Sequence, residues 1–143
     1  MVKAYANFGP GFTIAFDMKL TKVPVGWHNI LHMTTGRNCC FEGSRIPGVW
    51  LNSSYGIIPY MLIDIVMKGP KKQYSMPLEM NKQYYIELVL EAGIFTVRVN
   101  GDQVSQIEAG TATYNNVKCY LSSPLVESAG KVAVLSMTKI QQG

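Results

Sequence analysis

Two histidines are the first side chains here that invite a chemical reading: His28 and His32, in Trp27-His28-Asn29-Ile30-Leu31-His32-Met33. On an extended strand they share a face but stand about 13 Å apart at ~3.3 Å per residue. A zinc ion needs each imidazole within about 2.1 Å, so the pair alone does not chelate. One histidine is expected to be hydrogen-bonded in a groove or at the surface and the other solvated, with Trp27, Leu31 and Met33 facing the core. The carboxylates give no acid–base pair either. Glu87 and Glu91 share a strand face about 13 Å apart, outside the roughly 5–9.5 Å that glycoside hydrolysis uses. Glu42, Glu79 and Glu108 are isolated, and there is no Gly-x-Ser-x-Gly elbow or phosphate-binding glycine loop. Asp17, Asp64 and Asp102 could offer oxygens to calcium, but no loop carries closely spaced acids. No catalytic residue, metal ligand or cofactor is assigned, and the chain is not expected to be an enzyme.

Recognition remains. A sugar stacks its apolar face on an aromatic ring while planar polar groups fix its hydroxyls. Candidates are Trp50 with Asn52 and Tyr55 beside it, Arg45 one loop earlier, His28 and His32 on the neighbouring strand, and Arg98 and Asp102 near a hairpin tip. Against these stand structural readings: core packing for Trp50, and for Arg45 a salt bridge that ties down its turn. Lys68, Lys71 and Lys72 surround Gly69-Pro70 as the one basic cluster. It reads as a solvated hairpin tip, or as point charges for sulfated glycans or phosphate headgroups. No aromatics interleave with it as a nucleic-acid groove requires.

The cysteines are odd in number: Cys39, Cys40 and Cys119. Cys119 alternates with Val117 and Leu121 on an inward face, as a buried free thiol would. Alternatively, Cys39 or Cys40 bridges to Cys119, closing a loop of about 80 residues worth about 4 kcal/mol. Asn52-Ser53-Ser54 is an N-glycosylation sequon, expected on a surface loop of a secreted protein.

The chain has 143 residues, 48% apolar and 15% charged, which fits a single domain over 1–143 and excludes a disordered tail. Thirteen basic against nine acidic residues give +4, too small and scattered an excess for a nucleic-acid footprint. No apolar run nears the ~20 residues of a membrane span. Residues 1–20 lack a signal-peptide pattern, which leaves compartment open.

Period two dominates the elements that must position these residues. Phe12, Ile14, Phe16, Met18 and Leu20 alternate with small or polar residues, as do Tyr84, Ile86, Leu88 and Leu90. Phe95, Val97 and Val99 lead into Asn100-Gly101, which predicts a tight primed turn and a returning strand over 104–107. Ile57 to Met67 is apolar on both faces, as in a central strand or one under an oligomer contact, and Asp64 within it must be paired, hydrogen-bonded or at a sheet edge. Frequent Gly and Pro and the lack of any unbroken helical stripe predict an antiparallel sandwich or barrel.

Several segments together resemble the concanavalin A-like jelly-roll superfamily, and especially laminin-G-like animal extracellular modules. They are Trp27 to Gly36; the turn and strand Gly43-Ser44-Arg45-Ile46-Pro47-Gly48-Val49-Trp50; Tyr84 to Gly101 with its Val-x-Val-Asn-Gly ending; Asn116 to Ser122; and Lys131 to Ile140. Ser44 stands where the pattern carries an acid, so any arginine pairing or calcium role of that acid is lost or moved. The resemblance implies an all-β, two-sheet jelly roll with Phe12–Leu20 beside the last strand. It also implies a non-catalytic, extracellular or secreted module for carbohydrate recognition or adhesion. Expected partners are glycans or glycoproteins, with homo-oligomers as a further expectation. The alternative is a protein–protein or self-assembly module that uses sheet edges and an apolar face.

Overall fold

The computed structural model describes residues 3–36, 40–121 and 127–142. Alternation in β2 (Phe12–Leu20) and β7 (Gln83–Glu91) builds the first layer: Phe12 sits opposite Leu90, Ile14 opposite Leu88, Phe16 opposite Ile86 and Met18 opposite Tyr84, all buried. Each such row removes large apolar side chains from water, worth about 1.5–3 kcal/mol apiece. β12 (Ala133–Gln142) pairs with the other side of β2, from Ala133 opposite Leu20 to Gln142 opposite Phe12. The expected neighbouring of Phe12–Leu20 and the last strand is therefore present. β8 (Ile94–Val99) and β9 (Asp102–Glu108) complete this five-stranded sheet in the order β12-β2-β7-β8-β9.

The second sheet is larger. β1 (Lys3–Phe8), β10 (Tyr114–Tyr120), β3 (His28–Thr34), β4 (Arg45–Ser54), β5 (Ile58–Val66) and β6 (Lys72–Pro77) lie side by side in that order, and β11 (Glu127–Ser128) joins β3 in parallel. All other pairings are antiparallel. A short 3-10 turn, Ala129–Lys131, precedes β12. Leu31, Met33, Val49, Leu51, Met61 and Ile63 of this sheet meet the apolar rows of the first across one shared core. The result is the all-β, two-sheet jelly-roll sandwich that the alternation and the resemblance imply. β5 lies between β4 and β6, one strand in from the edge, with Met61, Ile63 and Ile65 on its core side.

Turn chemistry locks the hairpins. Asn100 and Gly101 adopt φ 51° and 88° between β8 and β9, the left-handed pair that a primed turn requires. The β7–β8 turn uses Ala92 and Gly93 at φ 52° and 80°, and here alanine occupies a conformation that costs an L residue about 1–2 kcal/mol. Ala92→Asn is therefore expected to raise stability by about 0.5–1 kcal/mol, seen as a higher urea midpoint with an unchanged slope.

Candidate functional site

The core takes one side of the large sheet, so its outer face carries the remaining residues in cross-strand rows. One row runs Tyr120, His32, Gly48, Asp64, Gln73, and the next runs Asn29, Trp50, Leu62, Ser75. A third joins Asn52, Tyr60 and Pro77.

The first two rows hold a buried polar lattice. Trp50 is only 3% exposed and Asp64 is 0% exposed. The Arg45 guanidinium pairs with Asp64 Oδ2, and Trp50 Nε1–H donates to Asp64 Oδ1 at 3.2 Å. Arg45 also lies over the Trp50 ring at 4.5 Å, and the His32 ring packs 5.3 Å from Trp50. His32 Nε2–H donates to the Ser44 carbonyl at 2.8 Å. Gly48 makes the lattice fit, because a Cβ there would fall 2.6 Å from Asp64 Oδ1 and 2.7 Å from Trp50 Nε1. A glycine inside a strand marks such a close approach.

Burial sets the charge states. It pushes the His32 imidazole below its usual range, with the neighbouring Arg45 charge acting in the same direction. Burial also raises Asp64, outweighing the opposing pull of Arg45, the Trp50 hydrogen bond and Lys71. The salt bridge read as the alternative for Arg45 exists, and its acid is Asp64 of β5. Ser44, where the resembled pattern has its acid, is buried, and its hydroxyl has no hydrogen-bond partner among the described residues.

Several expectations are corrected. Trp50 is not a platform for stacking, since the lattice encloses it. His28 and His32 do not share a face: a bulge between Asn29 and Leu31 puts His28 opposite inward-facing Leu51, and His32 opposite Gly48 on the outer face. His28 Nδ1 instead meets the Gly26 carbonyl at 3.1 Å. Asn29, which pattern reasoning passed over, stitches the bulge by donating to the Leu31 and Val49 carbonyls at 2.9 and 3.1 Å. Asn52 lies in β4 rather than on a surface loop, half-buried, and accepts a hydrogen bond from the Ser53 amide at 2.8 Å. Arg98 and Asp102 belong to the β8–β9 hairpin of the other sheet and do not join His32, Arg45 and Trp50. Trp27, expected in the core, is 41% exposed.

That tryptophan opens the real concavity. Trp27 and Tyr60 meet edge to face, ring centres 6.1 Å apart, at one end of an open cleft of about 610 Å³. Ile58, Leu62 and Pro77 supply its apolar wall, and Ser54, Gln73, Ser75 and Lys71 its polar groups. The volume lies within the range that holds small organic ligands. Gln73 and Ser75 could have been read from the sequence, because they alternate in β6 with Tyr74 and Met76, which pack on the core. Trp27 could not, because the β3 bulge breaks the period-two count that starts from it.

Cys119 is a free thiol, 0% exposed, facing the core from β10. It is therefore not the partner of Cys40, and Cys39 lies outside the described residues. Burial pushes the thiol from 9.0 up to about 11. A group raised in the folded state contributes stability that is complete below pH 9 and is lost as pH climbs toward about 11, on the order of 2–3 kcal/mol. Burial and the nearby thiolate raise Tyr5 in the same sense. Urea midpoints measured from pH 8 to 10.5 are expected to fall, with a clearly flatter slope in Cys119→Ala.

Among the described residues no three His, Cys, Asp or Glu side chains converge where they could hold a metal ion. No helix there is long and apolar enough to cross a membrane.

No protein-family model matches the chain, and no curated protein matches it. Solved structures do. A heptameric SAP-like pentraxin from Limulus polyphemus superposes with TM-score 0.56 at 12% identity, over 82% of this chain and 53% of that one. An alginate lyase from Alteromonas sp. 272 does so with TM-score 0.55 at 10% identity, over 76% and 50%. The binding domain of botulinum neurotoxin DC, in complex with rat synaptotagmin II, gives 0.57 at 9%, over 91% and 31%. In complex with SialylT, the same domain gives 0.55 at 7%, over 95% and 31%. This chain thus spans about a third to a half of those chains. At such identity the likeness establishes the jelly-roll fold it shares with both binding proteins and an enzyme.

Proposed function

We propose that this chain is a non-catalytic, lectin-like binding module that grips a glycan in the cleft beside β6. The observation that carries the reading is the exposed Trp27 ring set against Tyr60 at the mouth of a cleft whose other wall presents Ser75 and Gln73. An aromatic face matches the apolar face of a pyranose, and hydroxyl and amide groups satisfy its rim. The buried lattice of His32, Arg45, Trp50 and Asp64 acts as the rigid floor that fixes Leu62 and Gln73 in place. Weak single-site affinity would be raised by repetition on a surface, which suits an extracellular adhesion role. Among the described residues the cleft is lined by no carboxylate, so this reading assigns it no calcium.

A glycan array probed with the intact chain tests it. Saturable binding to a defined set of glycans, competed by the free oligosaccharide, is expected. Silence across the array sinks the reading.

One observation favours a second reading, a protein-contact or self-assembly module. Val25, Tyr55, Ile57 and Ile58 are all exposed around the β4–β5 hairpin and the adjoining loop that Ser53 ties to the Pro24 carbonyl. Clustered exposed apolar side chains mark interaction surfaces. An empty array together with concentration-dependent light scattering would select this alternative. The Asp64–Val66 end of β5 would not be part of the contact, since both residues are buried within the chain itself.

A further inference from the structure

The cleft is chemically polarised along its length. Its aromatic end is set by Tyr60, opposite Pro77, while Lys71 immediately precedes Lys72, opposite Ile65. Six residues of extended chain separate Lys71 from Pro77, about 20 Å at ~3.3 Å per residue. The three lysines of the β5–β6 turn are not equivalent. Lys72 donates to the Glu108 carbonyl at 3.1 Å, and the stem of Lys68 lies against Gly110, near enough that a Cβ there would sit 3.2 Å from Lys68 Cβ. Of the three, Lys71 alone lines the cleft, half-buried, and among the described residues it is the single charged one there. Among the described residues no carboxylate forms a salt bridge with it. Its field instead reaches Asp64 beneath the floor. A cation in a concave, partly apolar site with no anion of its own is a receptor for an anionic group, and such charge-assisted contacts are roughly twice as strong as neutral ones.

We infer that the cleft selects an acidic oligosaccharide, one sugar stacked on Trp27 and Tyr60 and an anionic group on a sugar farther along the chain held by Lys71. The inference rests on the cleft being the glycan site. The spacing requires a chain, because a single ring cannot span both ends. A carboxylate and a sulfate both satisfy a point charge like the lysine ammonium, so the ligand class is defined by its anion and the assay separates the two.

Four probes decide it by calorimetric titration against the intact protein: a galacturonic acid tetramer, a heparin tetrasaccharide, a neutral glucose tetramer and galacturonic acid itself. At least one acidic tetramer is expected to bind tenfold or more tighter than the neutral one, with the preferred chain identifying the anion. The monomer is expected to bind too weakly to measure. Lys71→Gln is expected to bring the acidic tetramer down to the level of the neutral one. Raised salt should erase the same margin. Equal binding of neutral and acidic tetramers by the native chain, or a preference that survives Lys71→Gln, overturns the inference while the glycan site stands. Failure of both acidic tetramers to bind overturns the inference, and silence of the glycan array beside it overturns the glycan site as well.

Discussion

Arg45→Met is expected to destabilise the fold by about 3–5 kcal/mol, the usual consequence of stripping one partner from a buried ion pair. Arg45 is 14% exposed and Asp64 0%, so water cannot replace the lost guanidinium at the carboxylate. Asp64 would keep the Trp50 indole hydrogen bond, which is far too little for a desolvated charge. The deficit has a predicted pH dependence. Burial already raises Asp64 above its ordinary 3.8, and removing the cation raises it further. A carboxyl raised in the folded state contributes stability that is present below its ordinary value and lost as pH rises through the folded one. The penalty is therefore expected to be smallest in acid and to grow toward neutrality. Adding Asp64→Asn to Arg45→Met should recover at least half of the loss, since an amide oxygen still accepts from Trp50 and carries no charge. Urea unfolding at pH 4 and pH 7.5 measures all of this. A loss under 1 kcal/mol at pH 7.5 in the single variant would show that the lattice is not organised around this pair.

Trp27→Ala is expected to weaken glycan binding by roughly ten- to a hundredfold, the equivalent of about 1.5–3 kcal/mol for an aromatic side chain buried by its ligand. Its effect on folding should be small, because much of the ring already faces solvent and surface changes cost little. Trp50→Ala makes the opposite pair of outcomes. Removing a tryptophan that is 3% exposed costs about 3–5 kcal/mol of stability, and among molecules that remain folded it should lower affinity less than Trp27→Ala does, because it loosens the floor without removing a contact to the sugar. Isothermal titration on variants whose folded fraction is fixed by near-ultraviolet dichroism separates the two. If Trp50→Ala lost affinity in full while folded and Trp27→Ala lost none, the site would lie on the lattice and not in the cleft.

The division between what could and could not be read in advance follows the physics of strands. Rows such as Phe12, Ile14, Phe16 and Met18 declare their face locally, because side-chain direction in a strand has a strict period of two. Asn100-Gly101 declares its turn because few residues tolerate its backbone. The same period misled at β3. One bulged residue there inverts every face assignment before it, which moved His28 inward and made Trp27 look like core. No local pattern signals that bulge except Asn29, whose amide holds it from one residue away. Asp64 was legible as a charge needing a partner, and Arg45 as an arginine wanting an acid. What joined them was the β4–β5 register, a property of two strands that neither strand's own sequence states. The cleft arises in the same way, from Trp27 and Tyr60 being brought together from separate segments.

The pairing of β2 with β12 sets an order on the molecule's own assembly. Residues 12–20 leave the ribosome more than a hundred residues before the strand that covers their free side. Through that interval nine residues dense in Phe, Ile, Met and Leu present an open backbone edge, the kind of surface on which chains mispair with one another. Because the free side of β2 is covered only when 133–142 arrive, mispairing is expected to compete until late in synthesis, and a chaperone that shields strands from neighbouring copies would matter most before that step.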